Sequence, residues 1–126
     1  MGTNWDYKAL AGLTTKRAIE EMKHAERLME RILFLDGAPD VQSMPKIVVG
    51  KDVEQQFAAD LKSEQTAIVS YNAGIATCVK AGDDGSAELL RANLRDEERH
   101  ADSLETQLSL IKQIGLANYL AQSMGG

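Results

Sequence analysis

The chain has 126 residues, 44% of them hydrophobic, and its 19 acidic and 14 basic residues give a net charge of −5. This length predicts a single domain over residues 1–126, and the acidic balance argues against a nucleic-acid partner, because phosphate binding requires clustered Lys and Arg. Cys78 is the single cysteine, which excludes a disulfide framework and a Cys-x-x-Cys motif. No run reaches the roughly 18–20 apolar residues of a membrane span, and residues 1–6 lack the features of a signal peptide. We therefore expect no membrane partner and a cytoplasmic location.

Three long segments and one short segment carry the helical spacing of apolar residues, which predicts an all-α protein. Gly37, Gly82 and Gly115 close the long segments, as is typical of helix ends. The predicted helices span approximately residues 6–35, 51–82, 86–114 and 116–122. On each long helix, the residues at this spacing form one face, the apolar stripe. The stripe of the first helix is Thr14, Ala18, Glu21, Ala25, Leu28, Ile32 and Leu35; that of the second is Val53, Phe57, Leu61, Glu64, Ile68, Tyr71, Ile75 and Cys78; and that of the third is Leu90, Leu94, Glu97, Ala101, Leu104, Leu108 and Ile111.

The two connections between the long helices differ in length, and this difference predicts the topology. Residues 82–85 form a short link, so the second and third helices are expected to be antiparallel neighbours. Residues 37–50 contain Pro39 and Pro45 and, when fully extended, reach about 45 Å, which is the length of a helix of about 30 residues. This link can return the chain to its starting end. We therefore predict a helical bundle with a long crossover between two parallel helices.

Both histidines of the chain belong to Glu-x-x-His motifs, which run from Glu21 to His24 and from Glu97 to His100. Each motif places its Glu on an apolar stripe and its His on the same face one turn later, and Glu64 interrupts the stripe of the second helix at a similar depth. Buried carboxylates are costly unless a cation lies between them, and carboxylates with imidazoles suit iron, manganese or zinc. We therefore predict a two-metal site with these five residues as ligands. The alternative is that each acid reaches solvent or pairs with a lysine.

Longer stretches around these motifs resemble the bacterioferritins, a family of ferritin-like proteins. The stretches that match the family's second to fifth helices are residues 17–27, 30–39, 60–64, 94–100, 104–108 and 115–120. The resemblance implies a ferritin-like bundle, and it implies that Glu64 is the metal-binding acid of the family's third helix. In the family another long helix comes first and carries a sixth ligand. We therefore expect an N-terminally shortened ferritin-like domain with five of the family's six side-chain ligands.

The resemblance also implies a function, which is iron storage and detoxification. The five residues would bind two iron ions, with a carboxylate bridging them, and oxidise Fe(II) to Fe(III) with oxygen or peroxide. Fe(III) mineral would be stored in a shell of 24 identical subunits, and a ferredoxin-like protein would supply electrons for iron release. Met22 would bind the iron of haem b together with Met22 of a second chain across a twofold axis, with Trp5 near that pocket.

Two other functions stay open at this point. The first is another dimetal oxidoreductase, either a rubrerythrin-like peroxidase, against which the absence of paired cysteines counts, or a manganese catalase. The second is a non-catalytic subunit of a ferritin-like assembly. The remaining side chains receive ordinary roles: Met22 as a flexible filler at an interface, Tyr71 and Cys78 as core, and Lys16, Arg17, Lys23, Glu20, Glu26, Glu30 and Glu98 as solvated charges.

Overall fold

The structure, a computed structural model, describes residues 4–35, 37 and 52–125, with the side chains of residues 16–35, 37 and 52–122. Four helices lie within these residues: α1 (Asn4–Phe34), α2 (Val53–Lys80), α3 (Asp84–Ile114) and α4 (Leu116–Gly125). No strand occurs among the described residues, and the predicted all-α bundle is confirmed. Most of the predicted crossover, with Pro39 and Pro45, and the side chains of Trp5 and Thr14 lie outside the described residues.

The helix ends follow local capping chemistry. The Asp52 carboxylate accepts a hydrogen bond from the backbone N–H of Gln55 and caps α2. Gly82, with φ of 75°, turns the chain after α2, a conformation that favours glycine. The start of α3 was predicted near Ser86 but lies two residues earlier, because the Asp83 carboxylate caps the helix by accepting from the backbone N–H of Ser86.

The contacts between helices establish their directions. Gly74 of α2 lies against Leu90 of α3, and Glu64, nearer the start of α2, faces His100, nearer the end of α3, so these two helices are antiparallel. In the same way Arg31 of α1 contacts Ser86 and Glu20 contacts His100, so α1 is also antiparallel to α3. Helices α1 and α2 are therefore parallel, as the predicted topology requires.

The apolar core lies mainly on α3 and α4. Among the side chains that the structure describes, the buried hydrophobic ones are Ala87, Ala101, Leu104, Ile111 and Tyr119. By contrast, several large apolar side chains at the end of α1 are exposed. They include Ile32, Leu33, Phe34 and Leu35. Ile32 and Leu35, which lie on the predicted apolar stripe, are therefore not covered by the described helices, although α1 packs against α3 and α4. None of the described helices is long and apolar enough to cross a membrane.

Arg31 joins the end of α1 to the turn between α2 and α3. Its Nε donates to Ser86 Oγ at 3.0 Å, its Nη2 lies 3.1 Å from Asp83 Oδ1, and its guanidinium lies over the ring of Phe34. A Cβ atom on Gly85 would overlap Arg31 Nη2, so a glycine at this position leaves room for the guanidinium. Hydrogen bonds from the Ser86 side chain and backbone, with help from Arg31, lower the pKa of Asp83.

We expect this lowered pKa to make part of the stability depend on pH. A carboxyl group whose pKa is lower in the folded than in the unfolded protein stabilises the fold above the unfolded pKa, and this contribution is lost as the pH falls through the folded pKa. Asp83→Asn keeps a good capping residue but removes the charge. Urea denaturation should show the wild type to be more stable than Asp83→Asn at neutral pH, with the difference disappearing well below 3.8, the ordinary Asp pKa. An equal difference at both pH values would contradict this account.

Candidate metal centre

Three helices bring Glu21, Glu64, Glu97 and His100 together in the middle of the bundle. Each of these residues offers one ligand atom, and the four atoms lie within 4.8 Å of one another. Glu64 and Glu97 are only 2% and 1% exposed, although both carry a carboxylate. The helical register explains the meeting, because Glu21 and Glu64 lie at the same level of two parallel helices and the third helix runs in the opposite direction beside α1 and α2.

Each of these four residues has one buried polar atom without a hydrogen-bond partner among the described residues. The atoms are Glu21 Oε1, Glu64 Oε2, Glu97 Oε2 and His100 Nδ1. Leaving a buried polar group unsatisfied costs about 1–3 kcal/mol, and more when the group is charged. Two of these atoms, Glu21 Oε1 and His100 Nδ1, lie 3.4 Å apart, and ligand atoms of all four residues meet within 4.8 Å. Three carboxylates and one imidazole at such distances are the donor set of a cation site.

His24 lies beside this group of four rather than within it. Its ring is buried and stacks on the ring of His100, with a centroid distance of 6.5 Å. Its Nδ1 atom lies 3.0 Å from Glu97 Oε1 and 4.0 Å from Glu21 Oε2. Glu21 and Glu97 therefore each direct one oxygen toward His24 and the other toward His100. The His100 Nδ1 atom lies 3.4 Å from Glu21 Oε1 and 4.0 Å from Glu97 Oε2. This is the arrangement of two carboxylates that can bridge two neighbouring ions.

Both histidines have an acidic partner on the side away from the bridging carboxylates. The Nε2 atom of His24 lies 2.8 Å from Asp96 Oδ2, and the Nε2 atom of His100 pairs with Glu20 Oε2. A neutral imidazole has one N–H, so a ring that donates from Nε2 leaves the Nδ1 lone pair directed at the centre. Asp96 and Glu20 thus fix the orientation that metal-binding histidines require.

Two of these roles differ from the sequence-based predictions. Glu20 was predicted to be a solvated charge, but its side chain is 29% exposed and bonds to His100. Arg17 was also predicted to lie on a solvated face, but its side chain is 23% exposed, with Nε 2.7 Å from Glu64 Oε1 and Nη1 3.0 Å from Asp60 Oδ2. Arg17 and Glu20 both precede a centre residue, Glu21 and His24, by four positions, which places each on the same face of α1 as that residue. That spacing was the signal in the sequence.

The electrostatics of the centre follow from burial and from these partners. Burial raises the pKa of Glu64, and repulsion from Glu21 adds to this effect, while Arg17 acts against it. The contacts of His100 with Glu21 and Glu20 raise the pKa of its imidazole in spite of partial burial. Burial works against the ionised form of Asp96, but hydrogen bonds from His24 and Arg99 outweigh it and lower the pKa. Arg17 and His100 thus provide positive charge beside the buried carboxylate of Glu64.

Tyr71 belongs to a hydrogen-bonded chain next to the centre. Asn93 is completely buried, accepts from Arg27 at 3.4 Å and donates to the Tyr71 hydroxyl at 3.4 Å. Burial raises the pKa of Tyr71, and the nearby acids, led by Glu21, contribute to the same direction. The tyrosine is only partly buried, so its predicted place in the core is met in part.

Two other predicted residues lie away from the centre. Met22 is 58% exposed, on a flank of α1 that does not face the four ligand atoms. An exposed thioether on this flank is available to a group held between two chains, and it equally suits a flexible contact between subunits. Cys78 is half-buried with no disulfide partner and has no part in the centre.

Comparisons with known proteins agree with this geometry. Residues 1–114 match the protein family described as ferritin, ferritin-like domain. The chain is 42% identical to a bacterioferritin of Mycobacterium leprae over 122 residues, covering 97% of this chain and 77% of that protein. It is 40% identical over the same length to bacterioferritin BfrA of Mycobacterium tuberculosis, again covering 97% of this chain and 77% of the relative. A bacterioferritin of Streptomyces coelicolor is 43% identical over 112 residues, which are 89% of this chain and 67% of that protein.

Proposed function

Because this chain belongs to the bacterioferritin family of ferritin-like proteins, we propose that it stores iron and that Glu21, His24, Glu64, Glu97 and His100 form a ferroxidase centre. The observation that supports this proposal is the group of four unpartnered buried atoms contributed by three helices. Iron is the substrate and cargo of such a centre. Carboxylate and imidazole donors suit Fe(II), and the three acids offset its charge.

The geometry supports two unequal iron positions. One lies among Glu64, His100 and the two bridging acids, where the chain offers four ligand atoms within 4.8 Å. The other lies beside His24, where the described residues offer His24 Nδ1 and the second oxygens of Glu21 and Glu97. We expect the first position to fill at lower iron concentration, because it has one more protein ligand.

The chain's own residues perform two tasks in the proposed reaction. Glu21 and Glu97 hold the two ions close together, and Asp96 and Glu20 keep both histidine rings turned toward them. Each Fe(II) gives up one electron, so two Fe(II), one O₂ and two protons yield two Fe(III) and one H₂O₂. When peroxide is the oxidant, two Fe(II), one H₂O₂ and two protons yield two Fe(III) and two H₂O.

Several finer features of the proposal come from the family. They are a shell of 24 subunits that encloses Fe(III) mineral, haem b held by Met22 between two chains, a ferredoxin-like reductant for iron release, and a cytoplasmic location. The exposed Met22 side chain fits a ligand shared between two copies. Haem would supply a path for electrons into the mineral, and the Met22 thioether would help to hold it.

The wild-type protein tests the proposed function directly. Under nitrogen, titration with Fe(II) should show two bound ions per chain with unequal affinities. After air is admitted, the absorbance of Fe(III) should rise faster than in buffer with the same Fe(II), and repeated additions should give a particle that sediments with its iron. Rapid disproportionation of peroxide by the Mn(II)-loaded protein would favour the manganese catalase alternative. Iron binding without faster oxidation would favour a non-catalytic assembly subunit.

A further inference from the structure

Arg17 is the one cation among the described residues that bonds to a proposed iron ligand and has no place in the oxidation chemistry. It reaches from α1 to α2, where Nε donates to Glu64 Oε1 at 2.7 Å and Nη1 lies 3.0 Å from Asp60 Oδ2. Asp60 in turn accepts from Gln56 Nε2 at 2.8 Å, one turn earlier on α2. This series of bonds fixes the guanidinium against one oxygen of Glu64.

We propose that Arg17 is a built-in counter-ion that competes with a divalent metal ion for Glu64, so that the metal-free centre stays folded and bound iron stays exchangeable. This inference rests on the proposed iron centre and concerns the position made by Glu64 and His100. In this proposal the ligands increase the affinity for a metal ion, whereas Arg17 decreases it.

The contacts of Glu64 support competition. The Oε1 atom of its carboxylate bonds to Arg17 at 2.7 Å and also lies 3.8 Å from His100 Nδ1, so the guanidinium is bound to the oxygen that approaches the centre. The Oε2 atom has no hydrogen-bond partner among the described residues. An arginine side chain is charged at every physiological pH. A metal ion that binds Glu64 must therefore share a buried carboxylate with a guanidinium of the same sign, in surroundings where screening by water is weak.

A positioning role for Arg17 predicts the opposite result. If the guanidinium served mainly to orient Glu64, its removal would weaken metal binding. Glu64 is 2% exposed, so the packing around it restricts its side chain without help from Arg17. Removal of Arg17 also leaves Asp60 as an uncompensated acid near the site, which strengthens the attraction for a cation. The charge effect is therefore expected to exceed the positioning effect.

The test compares Arg17→Gln with Arg91→Gln. Arg91 pairs with Asp84 and Glu88 near the start of α3, and its substitution changes the net charge by the same amount away from the centre. Co(II) is the probe, because it binds the same donors and its visible absorption reports coordination without turnover. We expect Arg17→Gln to bind the first Co(II) about tenfold more tightly than the wild type, and Arg91→Gln to bind it with wild-type affinity.

A second measurement separates competition from damage to the fold. Without metal, Arg17→Gln should melt at a lower temperature than the wild type, because the buried Glu64 and its neighbour Asp60 lose their counter-ion. With Co(II) its melting temperature should rise by more than that of the wild type. A damaged fold can only weaken binding, so tighter binding by a less stable protein supports the competition. If Arg17→Gln does not fold, Arg17→Met, which is also uncharged and has a side chain of similar length, should also bind Co(II) more tightly.

Equal or weaker Co(II) binding by the Arg17 variant that folds would overturn the competition and leave the iron centre intact. Failure of both the wild type and the variant to bind Co(II) would overturn the iron centre and the competition together.

Discussion

Glu97→Gln is expected to slow Fe(II) oxidation at least about a hundredfold and to weaken divalent-metal binding by a similar factor. Changes to outer partners of metal ligands alone cost about 10–100-fold, and Glu97 is a direct ligand in the proposed centre. Its two oxygens lie 3.0 Å from His24 Nδ1 and 4.0 Å from His100 Nδ1, so it contributes to both iron positions. Glutamine has nearly the same shape, but it is neutral, and its amide nitrogen has no lone pair for a metal.

The neighbouring Glu98 provides the matched control for this substitution. Glu98 lies on the same helix and is exposed, so Glu98→Gln removes an equal charge without entering the centre. Stopped-flow measurement of Fe(III) absorbance should show a wild-type rate for Glu98→Gln and a nearly flat trace for Glu97→Gln. Equal rates in the two variants would remove the five residues from the oxidation, whatever their geometry.

The meeting of the three acids could be predicted from the sequence because it depends only on helical repeat and chain direction. Glu21, Glu64 and Glu97 each interrupt an apolar stripe near the middle of a helix. The lengths of the two connections determine which helices are parallel, and the helix directions in the structure agree. Local capping residues such as Asp52 then fix where each helix begins to within a few residues.

The partner of His24, Asp96, could not be predicted in the same way, because its position depends on side-chain packing between helices. Asp96 precedes Glu97 by one position, which in a helix turns it about 100° away from its neighbour. No pattern along α3 indicates that it meets the far side of His24. The exposure of Leu33 and Phe34 was likewise not predictable, because an apolar stripe shows which face can be buried and not what covers it.

The same glutamine variant should make the metal-free protein more stable while it removes the metal-bound gain. Glu97 is 1% exposed, and its Oε2 atom has no hydrogen-bond partner among the described residues. A neutral amide in this place ends its repulsion with Glu21 and Glu64 and can donate to one of them. We expect Glu97→Gln to raise the free energy of unfolding of the metal-free protein by about 1–2 kcal/mol. Glu98→Gln should change it by less than about 0.5 kcal/mol.

With bound metal, the wild type should become more stable than Glu97→Gln, which reverses the order expected without metal. A ligand present at a hundred times its dissociation constant stabilises a folded protein by about 2.7 kcal/mol. Urea denaturation of the wild type with Co(II) at that excess should show this gain, and Glu97→Gln should show almost none at the same concentration. A metal-free Glu97→Gln that is less stable than the wild type would mean that the glutamate contributes more as a partner of His24 than it costs as a buried charge. The reversal, if observed, identifies the centre as a place where stability is given up for metal binding, because the acids that destabilise the metal-free fold are those that hold the ions.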